Sequence, residues 1–162
     1  SPAGVTVRLA GVNGDTQTAL ASGGDAAGDK LSSIEGLIGS GGGDQLTGNS
    51  LDNRLAGGLG SDVLNGMNGT DTVDYSRDHL FDAGTADRVE VHLVPGAGAG
   101  RGDEFKLQSD GTFKLVSTDA LISIENVIGT AGSDVIVGND LDNRLEGRGG
   151  DNDSTAGSAT TP

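Results

Sequence analysis

A nine-residue repeat built on glycine and aspartate constrains the fold of this chain more than any other feature. From residue 39 the sequence divides into GSGGGDQLT, GNSLDNRLA, GGLGSDVLN and GMNGTDTVD, and from residue 129 into GTAGSDVIV, GNDLDNRLE and GRGGDNDST. Glycine fills position 1 of every unit, Asp or Asn fills position 6, and an aliphatic residue fills position 8 in all but the last. A fixed short period of this kind indicates a solenoid of stacked units.

Each unit combines a tight turn with a very short strand. The glycine-rich positions 1 to 6 tolerate the positive φ angles of a tight turn, and strand alternation over positions 7 to 9 directs position 8 inward. Two units complete one coil, so turns on the same side lie two repeats apart in sequence and about 4.8 Å apart in space. The repeat therefore predicts an all-β protein, a right-handed parallel β-roll or β-helix flanked by short β segments.

Stacked turns bring the position-6 side chains on each side of the roll face to face. The pairs expected from the two-repeat offset are Asp44 with Asp62, Asn53 with Asp71, and Asp134 with Asn152. Carboxylates at strand spacing repel one another unless a hard cation lies between them, and such a cation accepts turn carbonyls as further oxygen ligands. The repeat therefore predicts calcium in the turns.

The composition also requires a source of stability other than a hydrophobic core. Hydrophobic residues make up 33% of the 162 residues and aromatic residues 2%, and a further 30 residues are glycines, which have no side chain to bury. So little apolar area does not offset the entropy of ordering a chain with 30 glycines. The formal net charge of −14 points to a metal cation and argues against nucleic acid as a partner. No segment has the length and apolarity of a membrane span.

The pattern Gly-Gly-x-Gly-x-Asp-x-hydrophobic-x resembles the RTX (haemolysin-type calcium-binding) family, and GGLGSDVLN at 57–65 matches it at every defined position. In that family one turn gives the carbonyls of positions 2 and 4 and its Asp, and the turn two repeats on gives the carbonyls of positions 1 and 3 and its Asp. The resemblance implies three ligand sets: Ser40, Gly42 and Asp44 with Gly57, Leu59 and Asp62; Asn49, Leu51 and Asn53 with Gly66, Asn68 and Asp71; and Thr130, Gly132 and Asp134 with Gly147, Gly149 and Asn152. Asn at positions 53, 143 and 152 keeps an oxygen but loses a charge, which implies weaker sites there.

A longer duplication contains the short repeat. SIEGLIG at 33–39 returns as SIENVIG at 123–129, and NSLDNRLAG at 49–57 returns as NDLDNRLEG at 139–147. We therefore predict two tandem modules cut from a larger secreted protein, with a disordered tail after them. Their expected bounds are 1–76 with a roll at 39–74, 77–153 with a roll at 129–153, and 154–162 for the tail. The segments 1–32 and 77–122 are expected to be either wider coils of the roll or a small cap.

The resemblance implies a non-catalytic module that binds several Ca²⁺ ions and folds outside a bacterial cell after type I secretion. One alternative is a polysaccharide-binding or enzyme-supporting module of a secreted epimerase, lipase or protease. Another is an adhesin or surface-layer repeat, in which tandem modules of the same chain act as spacers, and the duplication favours this over a single secretion tag. The domain order of the parent protein would discriminate among the three.

Three further features carry less weight. His79 and His92 are the only histidines, too few for a catalytic zinc site with three protein ligands. The adjacent acids Asp103 and Glu104 are expected to lie in a surface turn. Arg101-Gly102-Asp103 spells a cell-adhesion tripeptide, which we interpret as a chance match because so short a motif has little specificity.

Overall fold

Short strands dominate the part of the chain that the computed structural model describes, which is residues 3–11, 19–80, 88–94 and 98–155. Those from the first half are β1 (Thr6–Arg8), β2 (Leu20–Ser22), β3 (Gly36–Ile38), β4 (Gln45–Thr47), β5 (Arg54–Ala56), β6 (Val63–Asn65) and β7 (Thr72–Asp74). Those from the second half are β8 (Arg88–His92), β9 (Ala99–Leu107), β10 (Phe113–Ile122), β11 (Asn126–Ile128), β12 (Val135–Val137), β13 (Leu145–Glu146) and β14 (Asp153–Thr155). Two short 3₁₀ helices span Gly24–Ala26 and Tyr75–Leu80. Among the described residues, no helix is long and apolar enough to cross a membrane.

Successive repeats place their strands in two different sheets. A nine-stranded sheet has the order β14-β12-β8-β9-β10-β6-β4-β1-β2, and a five-stranded sheet has the order β13-β11-β7-β5-β3. Within the first sheet β4 and β6 pair in parallel with Leu46 opposite Leu64. Within the second, β5 and β7 pair in parallel with Leu55 opposite Val73. Both pairs are two repeats apart, which confirms the all-β roll with two repeats to a coil.

The position-8 side chains fill the space between the sheets. Leu55, Leu64, Val73 and Ile136 have no exposed surface, and Leu46 is 1% exposed. Position 8 is the middle residue of its three-residue strand, so its side chain points inward while its neighbours point toward solvent. The core is therefore a narrow column, to which each repeat except the last contributes one aliphatic side chain at position 8.

The segments outside the repeats continue the roll as part of the nine-stranded sheet. Strand β1 pairs in parallel with β4, which places Val7 opposite Leu46, and β2 pairs with β1 in the antiparallel direction. Strands β8, β9 and β10 form an antiparallel meander, in which β10 pairs in parallel with β6 and β8 with β12. These strands answer the question left open for 1–32 and 77–122: their described parts are stacked on the roll.

The two blocks of repeats share their sheets. Strand β10 follows β6 in one sheet, and β11 follows β7 in the other, with Val127 opposite Val73. The pairing thus crosses the predicted boundary between residues 76 and 77, and the division into two modules stays a prediction. Ser154 and Thr155, the first residues of the expected tail, lie in β14 opposite Ile136 and Val137; residues 156–162 lie outside the described ranges.

The prediction of a surface turn at Asp103 and Glu104 is wrong. Both residues lie in β9, which pairs with β10 on one side and β8 on the other. Asp103 is 8% exposed and Glu104 has no exposed surface, because a central strand is covered by its neighbours. Arg101 belongs to the same strand, and its Nε lies 2.6 Å from Asp103 Oδ2, so the adhesion tripeptide is not presented on a loop.

Candidate metal centres in the turns

Five of the seven position-6 side chains are as buried as the aliphatic core, although four of these five carry charge; Asn143 is half-buried and Asn152 is exposed. Asp44 and Asp134 are 1% exposed, Asp62 and Asn53 are 2% exposed, and Asp71 has no exposed surface. Each stands at the end of its turn, directly before a strand, so the turn folds over it. Burying a carboxylate is costly unless hydrogen bonds or an opposite charge compensate for the lost water.

Hydrogen bonds join position 6 of one coil to position 6 of the next. Asp44 N–H donates to Asp62 Oδ1 over 2.7 Å, and Asn53 N–H donates to Asp71 Oδ1 over 2.8 Å. In the second block Asp134 N–H donates to Asn152 Oδ1 over 2.9 Å. The structure therefore brings together the three pairs that the repeat predicts. One oxygen of each of these acceptors is used to connect neighbouring coils.

In four turns the residue at position 2 also binds the position-6 side chain. Ser40 N–H donates to Asp44 Oδ2 over 2.6 Å, and Thr130 N–H donates to Asp134 Oδ2 over 2.8 Å. Asn49 N–H donates to Asn53 Oδ1 over 2.7 Å, and Asn139 N–H donates to Asn143 Oδ1 over 2.8 Å. Each of these bonds gives one oxygen of the position-6 side chain a hydrogen-bond donor within its own turn.

In two other turns a buried carboxylate oxygen of position 6 has no hydrogen-bond donor among the described residues. Asp62 Oδ2 and Asp71 Oδ2 are inaccessible to solvent and have no hydrogen-bond partner among the described residues. Position 2 of their turns is held by Gly58 and Met67, whose φ angles are 94° and 77°, and Met67 N–H donates to Asn65 Oδ1 instead. A left-handed residue at position 2 thus coincides with an oxygen that lacks a donor. Buried polar atoms of this kind point to an ion that binds there.

Glycine at position 1 makes room for these carboxylates. A Cβ atom at Gly57 would overlap Asp62 Oδ2, and one at Gly66 would overlap Asp71 Oδ2. The side chain of position 6 therefore folds back onto the first residue of its own turn. This close approach explains why glycine fills position 1 of every repeat.

Burial raises the pKa of Asp62 to about 8, although the Asp44 N–H lowers it, and the carboxylates of Asp44 and Glu104 add to the rise. Burial likewise raises the pKa of Asp71 to about 7, against the lowering effect of the Asn53 N–H. Burial also raises the pKa of Asp134. Without a cation, these carboxyl groups therefore favour the protonated form more than exposed aspartates do.

The donor set of the turns fits a hard cation. The described residues contain no group of three or more His, Cys, Asp or Glu side chains that could hold a metal, so carboxylates alone form no cage there. A turn pair offers two carboxylate or amide side chains together with backbone carbonyls, which is the all-oxygen set that Ca²⁺ takes at a coordination number of 6–8. The predicted ligands all lie in the turns at 39–44, 48–53, 57–62, 66–71, 129–134 and 147–152. The carbonyls assigned to each set stay a prediction.

The stacks of position-6 side chains are continued by two acidic residues that lie outside the predicted ligand sets. Asp119 Oδ1 accepts a hydrogen bond from Asp62 N–H over 2.9 Å, and Glu125 Oε2 accepts one from Asp71 N–H over 2.8 Å. Each stands two residues before a buried aliphatic side chain, Leu121 or Val127, just as position 6 stands before position 8. That short spacing is the signal by which the sequence could have revealed them.

The raised pKa values make calcium binding depend on pH. In a turn that is folded without its ion, a carboxyl with a raised pKa stabilises the folded state at pH values below 3.8, which is the pKa of that group in the unfolded chain. This stabilisation is lost as the pH rises through about 7 for Asp71 and about 8 for Asp62. Cation binding requires the deprotonated form. In turns that stay folded when their ion leaves, protons therefore compete with calcium, and we expect the calcium affinity of such turns to fall between pH 8 and pH 6, by about tenfold per pH unit for each proton displaced.

Calorimetric calcium titrations in two buffers of different ionisation enthalpy measure the protons released on binding. Affinity that does not change with pH, together with no proton release, would contradict the expectation.

Comparison with protein-family models supplies a description for the repeats. The model for the RTX calcium-binding nonapeptide repeat (4 copies) matches residues 38–73 and 125–158. The first match covers the turns of Asp44, Asn53, Asp62 and Asp71, and the second begins at Glu125. Asp119 and the meander of β8, β9 and β10 lie between the two matches. The matched parts of the chain are therefore calcium-binding repeats.

Proposed function

Because residues 38–73 and 125–158 match the RTX calcium-binding nonapeptide repeat, we propose that this chain is a non-catalytic module that folds when its turns bind Ca²⁺ outside a bacterial cell. The observation that carries the proposal is the pair of buried carboxylate oxygens, Asp62 Oδ2 and Asp71 Oδ2, that have no donor among the described residues. They lie in turns whose position-6 side chains are stacked two repeats apart.

The proposed ion-holding side chains are those of the three stacked pairs. Asp44 and Asp62 would hold one ion, Asn53 and Asp71 a second, and Asp134 and Asn152 a third, each with carbonyls of the two turns. Bound Ca²⁺ supplies positive charge and coordination at the place where these side chains would otherwise repel one another or take up protons. Only the first pair has two carboxylates, so we propose that it binds most tightly.

Folding coupled to calcium follows from the narrow core and the charge of −14. Calcium sites of extracellular modules have dissociation constants of about 10⁻⁴–10⁻³ M. At a tenfold excess of free calcium, each site stabilises the folded state by only about 1.4 kcal/mol. Several sites must therefore act together, and stacking them in one roll makes their occupancy cooperative with folding. A chain of this kind would remain unfolded at cytoplasmic calcium levels during export and would fold outside the cell.

A spacer repeat of a surface protein is the second candidate, and the shared sheets favour it. The nine-stranded sheet runs from β2 to β14 without a break between the two repeat blocks. A continuous sheet makes the roll a stiff element between neighbouring modules of a longer chain. Both candidates require the same calcium-bound fold.

Selectivity for calcium over magnesium tests the proposed function. We expect millimolar Ca²⁺ to induce the β-sheet circular dichroism signal of the chain, and Mg²⁺ at the same concentration to leave the signal at its ion-free level. Magnesium demands tight octahedral geometry and retains its waters, whereas flexible carbonyls and carboxylates suit calcium. Equal folding by both ions would show that charge screening alone orders the chain.

A further inference from the structure

At the junction between the two repeat blocks, the stack of position-6 side chains is continued by a residue that lies outside the repeats. Strand β10 stacks on β6 with Leu121 opposite Leu64. Asp119 lies in β10 two residues before Leu121, so it takes the place that position 6 takes in a nonapeptide. It is separated from Asp62 by 57 residues along the chain, instead of the 18 that separate Asp44 from Asp62.

The contact between Asp62 and Asp119 repeats the geometry of the contact between Asp44 and Asp62. Asp62 N–H donates to Asp119 Oδ1 over 2.9 Å, and both side chains are 2% exposed. Asp62 Oδ2 is buried without a hydrogen-bond partner in the described part of the chain. Asp119 Oδ2 is likewise buried without a hydrogen-bond partner among the described residues. Two carboxylates thus meet at strand spacing, and each has an oxygen available for a ligand.

The surroundings of this pair are negative. Glu104, on the adjacent strand β9, has no exposed surface and accepts a hydrogen bond from Ser117 Oγ. Its carboxylate raises the pKa of both Asp62 and Asp119, after the larger effect of burial on each. Three buried acids that act on one another favour either a bound cation or bound protons.

A cleft borders the pair on its solvent side. It has a volume of about 430 Å³, and Asp62 and Asp119 line it together with Ser61, Gly100, Arg101 and Thr118. The one cation among these residues, Arg101, is paired with Asp103 over 2.6 Å. An ion on this side of the pair therefore meets no uncompensated positive charge among these residues.

We propose that Asp62 and Asp119 hold a Ca²⁺ ion at this junction, with the charge of Glu104 adding to its attraction, so that calcium attaches β10 to the first repeat block. The inference rests on the proposed function and extends it, because Asp119 lies outside both matched repeat segments. The site makes the insertion part of the calcium-dependent fold. The alternative for the same residues is that Asp119 stays protonated and binds no ion.

The variant Asp119→Asn distinguishes calcium binding from protonation of Asp119 at this site. The amide keeps an oxygen to accept the hydrogen bond from Asp62 N–H but removes the charge. Asp110→Asn is the matched control, because it makes the same change in the turn between β9 and β10, where Asp110 is exposed. We expect equilibrium dialysis against Ca²⁺ to show one fewer bound ion per chain in Asp119→Asn, and the wild-type number in Asp110→Asn.

Terbium luminescence provides a second measurement that uses the unmodified chain. Tyr75 is the only tyrosine and there is no tryptophan. Its side chain is buried, its hydroxyl lowers the pKa of Asp119 against the larger raising effect of burial, and it packs so closely on Gly102 that a Cβ there would overlap the hydroxyl. Tb³⁺ resembles Ca²⁺ in size and oxygen preference, and it emits when a nearby tyrosine absorbs. We expect tyrosine-sensitised emission from wild type that Ca²⁺ displaces and that Asp119→Asn reduces to background.

The outcomes distinguish this site from the proposed function. If wild type binds calcium and Asp119→Asn binds as many ions with the same affinity, the junction site is overturned while calcium-dependent folding stands. Absence of tyrosine-sensitised emission from a wild-type chain that binds Tb³⁺ overturns the site even where Asp119→Asn does not fold. If wild type binds no calcium, both proposals fail together.

Discussion

Removing calcium from the folded chain at neutral pH is expected to abolish most of its β-structure. Once the ions leave, the position-6 carboxylates of the stacked turns face one another at strand spacing, and the column of position-8 side chains is too narrow to hold the coils together. The chain then resembles a disordered polypeptide of low hydrophobicity and high net charge. This is the largest effect that we expect from any single change of conditions.

Far-ultraviolet circular dichroism before and after addition of a chelator measures this loss, and re-addition of excess Ca²⁺ tests its reversibility. Sodium chloride at matched ionic strength is the control for screening of the −14 charge. A chelated chain that kept its full β signal and a cooperative thermal transition would show that calcium is dispensable for folding.

Leu64→Ala is expected to have the largest effect of any single aliphatic truncation in the roll. Leu64 has no exposed surface and lies between Leu46 of β4 and Leu121 of β10, so its removal leaves a cavity where the two repeat blocks meet. Truncation of a buried Leu costs about 2–5 kcal/mol, a large share of the 5–15 kcal/mol that stabilises an ordinary domain. We expect the free energy of unfolding in urea, at saturating calcium, to fall by this amount.

Val63→Ala is the matched control, because Val63 precedes Leu64 in the same strand but is 39% exposed. We expect this variant to lose less than about 1 kcal/mol, from reduced strand propensity and partial burial. Equal losses from the two variants would mean that position 8 does not form the core on which the roll depends.

The repeat predicted the pairing of the turns correctly because its period is fixed. Once two units make a coil, every residue of one coil has its neighbour two repeats further along. The structure accordingly places Leu46 opposite Leu64 and Leu55 opposite Val73. The hydrogen bond from Asp44 to Asp62 follows from the same offset. Burial of position 8 was predictable for the same reason, since alternation in a three-residue strand leaves one inward side chain.

The junction was not predictable because an insertion of irregular length hides the register. The meander of β8, β9 and β10 separates Asp62 from Asp119, and no period links the two residues. Glu104 is predicted to lie in a surface turn because adjacent residues of a strand point to opposite faces and so form no carboxylate pair, whereas long-range pairing of β9 on both sides buries it. Which segment covers which strand depends on tertiary pairing that local sequence patterns do not specify.

The most direct test of calcium in the turns is a crystal structure of the chain grown with Ca²⁺, with anomalous difference density used to locate the ions. We expect peaks between the turns at 39–44 and 57–62, between those at 48–53 and 66–71, and between those at 129–134 and 147–152. An ordered roll with only water at these three places, or with calcium bound solely at surface carboxylates, would contradict the assignment of the stacked turns as calcium sites.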